Sequence, residues 1–344
     1  MDILENKTIL LLSVQTFDIE NQIINKLSEY KANIIYFDER PKNNFYIKSI
    51  LRLYPNLIKK RTDSYYLKIL SEVTEINIDY LLVIRGEVVP RWFLKKLRKS
   101  KPKTRFIFYT WDSFYNNPNG LNNLDLYDSK LSFDSNDCLK YKLQLRPLFF
   151  NDLFDKDRLN IESPIKHTFS FIGTIHSDRF QVFKKIKSII PAHNSAFGFF
   201  YIQNLLVYFF RLVIERSIKW IPINFISFKS LSQEKVRNVY LSSKFILYIN
   251  HPHQVGLTMR TFEAIGLNKK LITTNQHIKI YKFYNPELII VLDRNNLDID
   301  SRYFKKNENE TEYNNLNKFR SRLTVEGWIR SVFINCEPID FWIT

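Results

Sequence analysis

Glycine is scarce in this chain, with seven in 344 residues. No G-x-G-x-x-G follows any apolar run, which disfavours a Rossmann oxidoreductase that grips a dinucleotide through that loop. The two cysteines, Cys138 and Cys336, lie far apart. They form neither a zinc spacing nor a disulfide framework, and they fit a reducing compartment. No stretch approaches about 20 uninterrupted apolar residues, so no transmembrane helix is expected. The opening MDILENKTILLLSV sets acids ahead of its apolar run, the reverse of a secretory signal. Helix-turn-helix, RNP and zinc-finger patterns are missing, so nucleic acid is not an expected partner. Repeats and low-complexity tracts are missing as well.

What is present is apolar and basic. Hydrophobic residues make up 45% of the chain and charged residues 25%, which suits folded domains rather than disorder. A length of 344 residues accommodates two domains. The net charge of +16 suits an anionic substrate or an anionic membrane surface. The densest basic cluster, KKLRKSKPKTR (Lys95–Arg105), directly follows Trp92, Phe93 and Leu94. It is either a solvated helix end and loop or a patch for anionic lipid headgroups.

Along the chain, strand and helix patterns alternate. TILLLSV, NIIYFDE, IDYLLVIRGE, RFIFYTWDS and YDSKLSFDS are expected strands. Helical spacing covers Ile19 to Tyr30, two stretches within about Asn44 to Glu72, and PRWFLKKLRK. Continuous apolar strands alternating with helices predict a parallel sheet covered on both faces. The polar, proline-bearing stretch Leu145–His167 is the expected linker. A second series then begins: TFSFIGTIHSDRFQVFKKIKSII, SAFGFFY, a long aromatic helix, FILYINH, and ELIIVLD. The expected domains are 1–150, 165–325, and a helical segment 326–344 able to pack back on the first. In open α/β sheets, ligands bind beyond the carboxyl ends of the strands.

Two strand-to-helix turns in the second half carry phosphate-suited residues. In GTIHSDR, Gly173 ends a strand, Thr174 can hydrogen-bond, Ser177 or Asp178 can cap a helix, and Arg179 opens it. An ordinary βα turn fits the same residues. In QVGLTMRTFEAIGLNKKLITTN, a loop over Gln254, Gly256, Leu257 and Thr258 leads into a helix. Gly256 lets backbone N–H groups approach a ligand. Arg260 and Glu263, three apart, share a face. The arginine suits a phosphate and the glutamate a pair of ribose hydroxyls, although an exposed i,i+3 ion pair also satisfies the spacing. Gly266 stops the helix as the residue after its cap.

This motif, with FIGTIHSDR and YTWDS, resembles the GT-B glycosyltransferases of bacterial surface-polysaccharide loci, of capsule and O-antigen type. The resemblance implies an α/β fold of two Rossmann-like domains facing across a cleft. It implies a sugar nucleotide as co-substrate on the C-terminal domain and no resident cofactor. Glu263 would meet the ribose and Arg260 the diphosphate. The resemblance implies a lipid-linked saccharide as acceptor, and a cytoplasmic location, peripheral at the inner face of the plasma membrane. Two departures stand out. Val255 sits where many retaining members carry an acid, and the first loop has no glycine. An inverting reaction needs a base from the first domain. Asp112, between Trp111 and Ser113, is preferred over Glu87; Asp112 can equally be a helix-cap or turn acid, and Arg85 beside Glu87 can equally be a structural ion-pair partner.

His251 and His253 flank the donor loop, where either can donate to a phosphate or simply lie on the surface. Asp134 and Asp137 fall in a turn, and no metal is expected. The segment from Ala196 to Phe225 is either core strand plus helix or an interfacial helix on anionic lipid. A non-catalytic nucleotide- or anion-binding scaffold of a polysaccharide assembly complex remains the alternative function.

Overall fold

The structure is a computed structural model. It describes residues 4–15, 18–41, 55–159, 161, 163–190, 195–214, 216, 218–252, 254–300, 302–305 and 313–344. The chain divides into two compact units, Met1–Pro147 with Val325–Ile339, and Leu148–Thr324 with Asp340–Thr344.

The first unit carries β1 (Thr8–Ser13), β2 (Asn33–Asp38), β3 (Tyr80–Ile84), β4 (Arg105–Thr110), β5 (Ser129–Ser132) and β6 (Gln144–Leu145). They form one sheet in the order β2-β1-β3-β4-β5-β6, parallel throughout. Successive strand residues face opposite sides, yet Ile9, Leu10, Leu11 and Leu12 are all fully buried. Both faces of β1 are therefore covered. Helix α1 (Ile19–Glu29) buries Ile23 and Leu27 one turn apart. Helix α2 spans Pro55–Glu72, and the rest of the helical expectation upstream, 44–54, lies outside the described residues. Helix α3 (Arg91–Ser100) follows Pro90 and buries Phe93, Leu94 and Leu97. Helix α4 (Ser135–Tyr141) is capped by Asp134, whose carboxylate accepts from the Asn136 and Asp137 amides. The late helix Val325–Phe333 belongs to this unit, with Trp328 edge-on to Tyr109 at 5.0 Å.

The second unit carries β7 (His167–Thr174), β8 (Ala196–Tyr201), β9 (Ile226–Ser227), β10 (Ser243–Tyr248), β11 (Lys270–Thr273) and β12 (Ile289–Val291). Their order is β12-β11-β10-β7-β8-β9, again parallel. Renumbered from β7, this is the 3-2-1-4-5-6 order of a Rossmann fold, with its switch point between β7 and β10. The expectation of two Rossmann-like α/β units agrees with these two parallel sheets. Helix α5 (Arg179–Ile189) follows β7.

Three expectations change. The stretch expected as a linker is packed from Leu148 onward: Phe149, Phe150 and Phe154 are buried, and Asp155 binds Arg320 at 2.6 Å. Its aromatic residues outweigh its polar composition. SAFGFFY is strand β8 as expected, but the long aromatic helix after it is short: α6 (Leu205–Phe209) runs into a wider π turn over Phe210–Ile214. After α7 (Gln233–Leu241) comes α8 (Met259–Gly266), and Gly266 is its last helical residue rather than the residue after the cap. Asn268 takes the left-handed conformation at φ 51°. The Lys269 amide donates to Ala264 O and the Asn268 amide to Ile265 O, a Schellman closure. Gly266 is needed for a different reason. A Cβ there would lie 2.3 Å from Phe154 O and 2.7 Å from the Phe150 ring.

Candidate functional site

The switch point of the second sheet gathers arginines. Arg179, the first residue of α5, reaches back over the strand ends. Its Nε donates to Ile249 O at 2.8 Å, and its Nη1 to Thr174 O and Oγ1 at 3.0 and 3.3 Å. Gly173 lies within β7 rather than ending it, and a Cβ there would come within 3.1 Å of the Arg179 Nη1. Its small size gives the guanidinium its place. Burial, then the Arg260 and Arg294 charges, pull Arg179 down to about 10, and at neutral pH it stays a cation.

Arg294 enters from the loop after β12. It donates from Nη1 to Asp178 at 2.5 Å, and from Nη2 to Asn250 O at 2.6 Å and Thr274 Oγ1 at 3.2 Å. Asp178 makes no cap bond to α5, contrary to expectation, because its carboxylate faces Arg294 instead. Arg211 donates to Ile175 O at 2.9 Å. His176 lies among these groups, its ring 5.3 Å from that of His251. Burial, then Arg179, His251, Arg211 and Arg294, push it down to about 2, so it is a neutral imidazole at any ordinary pH. His253 lies outside the described residues.

The loop after β10 closes on itself. The Gln254 amide donates to His251 O at 2.9 Å, and Asn250 Nδ2 to Gln254 O at 3.1 Å. Asn275 Nδ2 donates to Val255 O at 3.1 Å, and Thr274 Oγ1 to Asn250 Oδ1 at 2.6 Å. The final Thr-Thr-Asn of the motif thus fixes the loop in which Gly256 and Leu257 are buried. Thr258 precedes α8 without a side-chain cap bond, and its buried Oγ1 faces the Tyr248 hydroxyl instead.

Arg260 and Glu263 share one face, as their spacing requires, but they point at each other. Arg260 Nη1 meets Glu263 Oε2 at 2.5 Å. The pair is sunk rather than exposed: Glu263 is buried and Arg260 half-buried beside Tyr240. Arg179, Arg211, Arg260 and Arg294 therefore stand at this edge with two carboxylate partners, Asp178 and Glu263. Sequence reasoning missed Arg294, Arg211, His176, Asn250 and Thr274. Arg294 had a signal, since it follows ELIIVLD just as Arg179 follows TFSFI.

The switch point of the first sheet, between β1 and β3, is organised differently. Glu39, directly after β2, is completely buried and accepts the Gly86 and Glu87 amides at 2.9 and 3.0 Å. Burial and the nearby Glu87 raise it to about 8 against the pull of Arg85, the Glu87 amide and Arg40. Arg85 and Gly86 both take positive φ, 83° and 64°, which turns those amides onto the carboxylate. The two expected bases are paired here. Asp112 lies 3.3 Å from Arg85 and accepts from Asn116 at 3.1 Å. Glu87 binds Arg40, with the Arg85 guanidinium 3.7 Å away.

No family model matches the chain, and no curated protein matches it. Among solved structures, it is similar to the UDP-GlcNAc 2-epimerase of Methanocaldococcus jannaschii, in complex with UDP-GlcNAc and UDP. That likeness has 14% identity and a TM-score of 0.43, over 78% of this chain and 83% of that one. A second UDP-N-acetylglucosamine 2-epimerase gives 12% identity and a TM-score of 0.49 over 95% and 94%. The glycotransferase of kitacinnamycin gives 9% identity and a TM-score of 0.48 over 95% and 98%. At this level the functional reading rests on the residues of the chain itself.

Proposed function

We propose that the protein is a glycosyltransferase of GT-B type, which moves a sugar from a nucleotide-activated donor to a lipid-linked saccharide of a surface polysaccharide. The observation that carries the reading is the cationic switch point of the second sheet, where four guanidiniums meet two carboxylates around a neutral His176. A half-buried excess of guanidinium donors suits a diphosphate. In this reading Arg179, Arg294 and Arg260 hold the diphosphate, while Glu263 takes the ribose hydroxyls. Gly173, Thr174, Gln254, Gly256, Leu257 and Thr258 line the donor position.

The acceptor oxygen bonds the anomeric carbon as the bond from that carbon to the diphosphate oxygen breaks, and the electron pair leaves with the diphosphate. The guanidiniums stabilise that developing charge in the role a metal ion fills elsewhere. Asp112 is the proposed base for the acceptor proton, with Glu87 second. The ion pairs already made by both carboxylates favour one rival reading, a non-catalytic nucleotide- or anion-binding scaffold of a polysaccharide assembly complex.

A thermal-shift panel of nucleoside diphosphates and sugar nucleotides tests the binding. At a hundredfold excess over Kd, a true ligand adds about 2.7 kcal/mol to stability. Stabilisation by none of them sinks the proposal. Binding without transfer to any saccharide acceptor selects the scaffold.

A further inference from the structure

We propose that the face formed by α6, its π extension and the loop through Phe228 docks the second unit onto an anionic lipid bilayer. The helix is apolar on the wrong side. Val207 and Tyr208 point into the core, while Leu205, Leu206, Phe209, Phe210, Val213 and Ile214 are exposed. These residues recur in pairs four apart and so share one broad stripe. Leu206 is 79% exposed and Ile214 68%, values that solvent alone does not favour. Beyond the helix, Trp220, Ile223, Phe225 and Phe228 extend the exposed apolar surface, with Trp220 at 55%.

Charge complementarity identifies the occupant. Between Gln203 and Ser230 the chain carries Arg211, Arg216, Lys219 and Lys229 against one acid, Glu215. Arg216, Lys219 and Lys229 are exposed. An apolar stripe with a tryptophan and a basic rim is the composition of an interfacial helix, which lies in the headgroup plane and is attracted by anionic lipid. Crossing is not the mode, since no helix among the described residues is long and apolar enough to span a membrane. The inner side of the same helical segment holds the Arg211 to Ile175 bond beside His176, so the docking face and the arginine cluster share one element.

The Lys95–Arg105 cluster is a weaker candidate for this role. Arg98 donates to Thr104 O, Leu126 O and Asp128, and Arg105 donates to Phe333 O and Ser129. Those cations hold the first unit together.

The test is co-sedimentation of the full chain with vesicles of phosphatidylglycerol and phosphatidylcholine, and with pure phosphatidylcholine. The wild type is expected to bind the anionic vesicles, less so as salt rises, because the Debye length shrinks from about 10 Å at 0.1 M to about 3 Å at 1 M. The double variant Leu206→Glu/Ile214→Glu is expected to lose at least about tenfold in binding, since each glutamate removes an apolar contact and adds repulsion. Lys219→Glu/Lys229→Glu should lose several-fold and flatten the salt dependence. Brominated lipid should quench the wild type, and less so Trp220→Phe. An unchanged thermal midpoint shows that each variant folds. Equal binding by the wild type and Leu206→Glu/Ile214→Glu overturns the proposal. So does a vesicle-indifferent chain that sediments as a dimer and is split by that variant, which would give the face to a second copy.

Discussion

The two sheets end in two collections of charge that look alike on paper and differ in what they hold. At the first switch point, the place an anion would take is filled by the chain's own Glu39, which accepts two successive backbone amides. Arg40 and Arg85 are matched by Glu87 and Asp112. At the second, the carboxylates among the described residues are Asp178, on Arg294, and Glu263, on Arg260. The strand carbonyls at Thr174 and Ile249 anchor Arg179, and Arg294 ties the β10 and β11 ends together. Both edges meet the requirement that buried charge be paired or hydrogen-bonded. The first does so internally, while at the second four guanidiniums meet two carboxylates among the described residues, the excess on which the proposed anion site rests.

The largest effect expected from breaking this contrast is on turnover. Asp112→Asn should lower transfer by about 10²–10⁴-fold, the range of a positioned base, while nucleotide affinity stays unchanged. Glu87→Gln is its partner. A large loss there with a silent Asp112→Asn reverses their order, and silence in both makes the first switch point purely structural. Next comes Arg294→Ala, which removes charged hydrogen bonds worth about 1.5–3 kcal/mol and should weaken nucleoside diphosphate binding by about 10–100-fold in calorimetry. Wild-type affinity in that variant would mean that the arginine excess binds something else. Glu263→Ala should weaken nucleotide binding by a smaller factor without unfolding the chain. Undiminished binding there removes the ribose assignment.

The most diagnostic test of the contrast is the pH dependence of stability, because the two edges titrate with opposite sign. Glu39 holds its proton more tightly folded than unfolded, about 8 against an ordinary 4.5. Its contribution to stability is complete below 4.5 and is lost as pH rises through 8. His176 holds its proton less tightly, about 2 against 6.5. Its contribution is complete above 6.5 and is lost as pH falls from 6.5 toward 2. Denaturant unfolding across pH 4 to 9 should therefore show Glu39→Gln flattening the alkaline limb and His176→Asn the acid limb. Unaltered slopes in both variants would show that neither group couples to folding.

Much of the fold was legible because burial on both faces leaves a plain mark. Runs such as ILLL and FILY are continuous, and helices between them keep a 3.6 period, so parallel sheets follow from pattern alone. The packed stretch after Leu148 was not legible, since prolines and acids mask three buried phenylalanines. Gly266 was assigned to the wrong task for a similar reason. A glycine near a helix end suits the residue after the cap, and only the approach of Phe150 and Phe154 reveals a packing demand. In the site, Arg179, Arg260 and Glu263 were visible from their places after strands and on one helix face.

The sequence by itself determined that two α/β units would form, that phosphate-suited residues would follow the strands, and that the chain would carry a large positive charge. Those properties depend on local period and composition, which are one-dimensional. Only the tertiary structure decided that Arg260 and Glu263 face each other, that Arg294 joins Arg179 from 115 positions away, and that Glu39 fills the first switch point. It also decided that the apolar stripe of α6 turns outward. Each is a matter of direction, set by which strand ends the parallel sheets bring side by side, and spacing along a chain does not encode it.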